Sequence, residues 1–64
     1  MNAKELREKS LDDLNVSLLE LCKERANNRI QRATGQINQT HIAKQIKNDI
    51  ARVKTVIGEK LREN

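Results

Sequence analysis

Two side chains in this sequence have types suited to covalent or proton-transfer chemistry, the thiol of Cys22 and the imidazole of His41. A nucleophile needs a base beside it, and both need a concave pocket with converging polar groups, which a chain of 64 residues can hardly enclose. His41 stands beside an expected helix start, and Cys22 lies on an apolar stripe, where a lone cysteine packs as a small hydrophobe. A single cysteine forms no internal disulfide, and no second cysteine or nearby histidine completes a metal site. Gly35 and Gly58 stand alone rather than in a phosphate-cradling loop. The expectation is a protein that is not an enzyme, with no catalytic residue, metal or cofactor.

The chemistry on offer is ionic. Thirteen Lys and Arg face nine Asp and Glu, for a net charge of +4 and a pI near 9.6. Arg25, Arg29 and Arg32 are spaced four and three apart, so they share one helix face and repel each other by a few tenths of a kcal/mol per pair. A polyanion relieves that repulsion. Each neutralised phosphate releases condensed counterions, and an arginine can fork onto two phosphate oxygens. Further along, Lys47 and Lys54 are seven apart and flank an apolar seam, while Lys44, Arg52 and Arg62 point away from it with Asn48 and Thr55. The absence of Phe, Tyr and Trp removes the stacking platform of single-strand readers, so reading of looped-out bases is not expected. No helix-turn-helix corner or dense basic zipper region suggests a DNA reader. Shape and phosphate recognition of structured RNA fits best.

The elements that must carry these cations are read from periodicity. Ser10 precedes Leu11-Asp12-Asp13 as a cap, with acid in the first turn where the helix dipole favours it. Apolar residues follow at Leu11, Leu14, Leu18, Leu21, Cys22, Ala26, Ile30 and Ala33, predicting a helix over about 10–34 that Gly35 terminates. Gln36 to Gln39 turn the chain and Thr40 caps the next helix. That helix, about 40–61, has its seam at Ala43, Ile46, Ile50, Val53, Ile57 and Leu61. The fold class is all-α, an antiparallel two-helix hairpin with a short N-terminal helical turn anchored by Leu6, and residues 1–64 form one domain. Such a hairpin buries one strip and is marginal alone, so it gains stability from a partner. The longest apolar runs are two residues, far short of a membrane span, and the charged N-terminal residues predict a cytosolic protein without a signal peptide.

Four segments carry a resemblance: Lys4-Glu5-Leu6-Arg7, Leu11-Asp12-Asp13-Leu14, Arg29-Ile30-Gln31-Arg32-Ala33-Thr34-Gly35-Gln36-Ile37 and Asp49-Ile50-Ala51-Arg52-Val53-Lys54-Thr55-Val56-Ile57. In order and spacing, over nearly the whole chain, they resemble the family of bacterial large-subunit ribosomal protein number twenty-nine, the last two segments being the specific ones. The resemblance implies a structural constituent of the large subunit in the cytoplasm. It further implies binding to large-subunit rRNA near the nascent-peptide tunnel exit, beside a neighbouring ribosomal protein through which it has indirect contact with nascent-chain factors. By match to motif positions it assigns RNA contacts to Arg29, Gln31, Thr34, Gly35, Gln36, Arg52, Lys54 and Thr55. Arg7, Arg25, Arg32, Lys44 and Lys47 are added on charge. The chain departs from the family's pattern at Ala26, where Phe is usual, at Asn28, where a large apolar residue is usual, and at Asn48, where a basic one is. The competing reading is an interaction module, two hairpins pairing through their seams into a homodimeric four-helix bundle. A basic amphipathic membrane helix is disfavoured by the interleaved acids and missing aromatics.

Overall fold

The computed structural model describes residues 2–35 and 40–63. They form three helices, α1 (Ala3–Arg7), α2 (Leu11–Ala33) and α3 (Thr40–Arg62). The ends follow local chemistry. The Asn2 side chain accepts from the Lys4 N–H at 2.9 Å, and the Ser10 hydroxyl oxygen accepts from the Asp13 N–H at 3.1 Å, each satisfying a backbone donor that the first turn leaves without a partner. At the far end of α2 the Thr34 N–H still donates to the Ile30 carbonyl, and Gly35 then takes φ +78°. A Cβ built at Gly35 would meet no atom within 4 Å, so the torsion and not the space selects glycine there. The expected turn at Gln36 to Gln39 and the capping side chain of Thr40 lie outside the described residues.

α2 and α3 pack against each other as the expected hairpin, in a rod of 45 × 17 × 15 Å, and α1 folds against α3. The core is Leu6 from α1, Leu14 and Leu21 from α2, and Ile46, Ile50, Val53 and Val56 from α3, with Leu18, Ile42 and Ile57 packed around it. Leu6 is as deeply buried as the seam itself, so the short N-terminal turn is a third packing element over the C-terminal half of α3.

The register of α2 corrects the expected stripe. Leu14, Leu21 and Asn28 are buried at a strict spacing of seven, whereas Cys22, Ala26, Ile30 and Ala33 are exposed, Ile30 at 63%. The reason is angular. A step of four residues advances about 40° around the helix, so Leu18, Cys22, Ala26 and Ile30 wind about 120° away from the contact line, while a step of seven drifts by only about 20°. Cys22 is therefore an exposed thiol rather than a packed one. The same correction applies on α3, where Leu61 is 57% exposed and Val56 is buried in its place. Val56 lies on the flank that α1 covers, and Leu61, eight residues beyond Val53, is turned about 80° from the seam.

The register yields a direct test by denaturant unfolding. Leu21→Ala opens a cavity in the seam and is expected to cost about 2–5 kcal/mol, enough to unfold a domain of this size, whereas Cys22→Ala next to it changes stability by less than about 0.5 kcal/mol.

Candidate nucleic-acid interface

At the bend end of the hairpin the two helices leave an open cleft of about 340 Å³. Its rim is cationic, with Arg25, Arg29 and Arg32 from α2 facing Lys44 and Lys47 from α3, and its floor is Asn28, Ala43 and Ile46. Among the described residues no carboxylate lines it. The heptad pattern explains the convergence. Leu11, Leu18, Arg25 and Arg32 form one row at a spacing of seven beside the seam of α2; the first two are half-buried, Leu18 against the core, and the last two are exposed cations. One helical row thus changes from apolar to basic where the packed core ends. On α3, Lys47 and Lys54 are likewise seven apart on one flank, so Lys54 extends the basic edge away from the bend.

The structure separates the remaining sequence-derived candidates. Arg52 is exposed on the opposite flank of α3, about 140–160° around the helix from Lys47 and Lys54, and does not share their surface. The Thr34 hydroxyl donates to the Gln31 carbonyl at 2.9 Å and the Thr55 hydroxyl to the Ala51 carbonyl at 2.8 Å. Both protons are spent inside their own helices, and a phosphate oxygen, which only accepts, needs a donor. Gln31 is half-buried and Gly35 exposed at the bend, while Gln36 lies outside the described residues.

Arg7 is at the other end of the rod. Its Nε donates to one Glu59 carboxylate oxygen at 3.0 Å and a terminal nitrogen donates to the other at 3.3 Å. Glu59 is fifteen residues from Lys44, about 22 Å along α3, so Arg7 fastens α1 to α3 remote from the cleft. The forked hydrogen bond, with the attraction of opposite charges behind it, raises the Arg7 pKa. The same hydrogen bond, helped by the charges of Arg7 and Arg62, holds the Glu59 carboxyl below its ordinary 4.5 against the opposing effect of desolvation. Next to it the Arg62 guanidinium donates to the Gly58 carbonyl at 3.1 Å, supplying a cation at the negative end of the helix dipole.

One residue of the cleft stood out in the sequence only as a departure from the family's pattern and not as a site residue. Asn28 is only 6% exposed yet lines the cleft. The signal was present in its spacing, seven residues beyond Leu21 and fourteen beyond Leu14, which places an amide on the buried row.

A protein-family model described as Ribosomal L29 protein matches residues 4–60, a span that takes in α2 whole, nearly all of α3 and every residue of the cleft.

The Arg7–Glu59 pair carries a definite sign in pH. The carboxylate is stabilised on folding, so its contribution is present above about pH 4.5 and is lost as the pH falls through the lower folded value. Thermal melts followed by circular dichroism are expected to show the wild-type chain melting above Glu59→Gln at about pH 6, with the difference vanishing near pH 2. Equal melting points at about pH 6 would mean that the pair contributes nothing.

Proposed function

The chain belongs to the ribosomal L29 protein family, a structural and non-catalytic family of the large ribosomal subunit, and on that premise we propose that it binds large-subunit rRNA through the basic cleft at the bend of its hairpin. The observation that carries this reading is the convergence of Arg25, Arg29, Arg32, Lys44 and Lys47 on one concave surface with no acid among the described residues that line it. Five cations held by two packed helices repel one another in the free protein, and a phosphate backbone turns that repulsion into attraction while releasing its own counterions. Lys54 extends the contact along α3. Residues 1–64 act as one RNA-binding domain of the cytoplasmic ribosome, located near the nascent-peptide tunnel exit.

The opposite face of α2 suits a different neighbour. Val16, Leu19 and Ile30 are each more than half exposed and fall on one stripe, about 160° from the seam. A contact there with the neighbouring ribosomal protein covers apolar surface that the hairpin cannot, and it gives the chain an indirect relation to nascent-chain factors. A homodimeric four-helix bundle formed through the seams is less compatible with this packing, because the seams already face each other within one chain. Lys23 also interrupts the outer stripe.

Sedimentation of a cell lysate through sucrose tests the proposal. The chain is expected to travel with the large subunit in near one-to-one amount at moderate salt and to be released at molar salt. Arg29→Glu combined with Lys47→Glu should shift it to the light fractions at a salt concentration where the wild type stays bound, with helicity unchanged. A wild-type chain found only in the light fractions overturns the reading.

A further inference from the structure

The cleft has features that phosphate binding alone does not require. A row of exposed arginines suffices to hold a phosphate backbone, yet here the cations surround a depression of about 340 Å³, close to the lower end of the roughly 300–1,000 Å³ range of small-ligand sites. Its floor joins an apolar part, Ala43 and Ile46, to the amide of Asn28. That amide belongs to a residue 94% buried, on the row where Leu14 and Leu21 pack. No described residue is seen to hydrogen-bond to it, and none of the buried side-chain nitrogens and oxygens among the described residues lacks a partner. The two facts agree if the Asn28 amide opens onto the cleft, with its donor and acceptor accessible there.

Resting on the RNA-binding reading, we propose that the cleft seats one unstacked nucleotide of the bound RNA. Its base lies over Ala43 and Ile46 and is hydrogen-bonded by the Asn28 amide, and its flanking phosphates are held by the rim cations. The amide carries a donor and an acceptor side by side, the complement of a base edge, whereas a phosphate would use only the donor. The missing aromatic platform is replaced by guanidinium planes: Arg25 and Arg29, one helical turn apart on the rim, can stack on the face of the base. This revises, at one nucleotide, the expectation that the chain meets RNA by shape and phosphates alone.

The test compares large subunits that carry the wild-type chain, carry Asn28→Leu, or lack the chain. Dimethyl sulfate and carbodiimide together report the exposed base edges of all four nucleotides, and hydroxyl radicals report the protected backbone. The expected result is one unpaired nucleotide, shielded in wild-type subunits, that becomes several-fold more reactive with Asn28→Leu, the variant being present in stoichiometric amount and the backbone protection unchanged. If base reactivities are identical while the backbone protection persists, the cleft meets phosphates only and the proposal is overturned. If wild-type subunits show no backbone protection relative to subunits lacking the chain, the RNA-binding reading itself fails. Should Asn28→Leu not assemble, Asn28→Ser is read by the same criteria.

Discussion

Two helices that meet along one line must present the same residues to that line over its whole length, and in this chain the line is kept by a spacing of seven. Leu14, Leu21 and Asn28 hold it on α2, against Ile46, Ile50 and Val53 on α3. A straight helix drifts by about 20° per seven residues, so three such positions stay within one contact strip. Everything else in the molecule is arranged around that strip. The row beside it is half-buried at Leu11 and Leu18 and exposed at Arg25 and Arg32, the row opposite is solvent-facing, and the point at which the spacing places an amide rather than a leucine is the point at which the packed core gives way to the cleft.

The other end of the rod is reinforced in a different way. A two-helix contact has no third layer, and α1 supplies a small one. Leu6 is sealed against α3, the deeply buried Val56 lies on the flank it covers, and Arg7 grips Glu59 at the edge. The ion pair is exposed and contributes little by itself. Its effect is to set the orientation of a five-residue helix too short to persist alone, so that Leu6 remains over the seam. The rod is therefore asymmetric, apolar and clamped where α1 lies, cationic and open at the bend.

Most of the architecture was legible in the residue pattern because the signals were local. Ser10 with Asp12 and Asp13, and Gly35 with its need for positive φ, mark the bounds of α2 to within a residue. What local pattern could not settle was the face. Steps of three and four are equally helical in either order, and only the partner decides which of Leu21 or Cys22, or of Val56 or Leu61, turns inward. The candidate site shows the same division. Arg25, Arg29 and Arg32 declare a shared face by spacing alone, but that Lys44 and Lys47 stand across from them depends on the hairpin closing. That Arg52 lies on the far flank of α3 follows from helical angle once Lys47 is fixed. Arg7 counted as one more cation in the sequence because its partner, Glu59, is fifty-two residues away.

The asymmetry also bears on how the hairpin is stabilised. Extending the buried row with a leucine at position 28 and placing acids opposite the arginines would have closed the bend end with the chain's own atoms. Instead the row ends in an amide, small Ala43 leaves room beside it, and the flanking row changes from Leu11 and Leu18 to Arg25 and Arg32. Each of these choices weakens the isolated protein, by lost apolar burial or by like-charge repulsion, and each is offset once a polyanion occupies the cleft. A chain this short has few ways to add stability internally. On the proposed reading, RNA seated in the cleft would offset both costs, so that the contact holding the chain in place would also stabilise its hairpin.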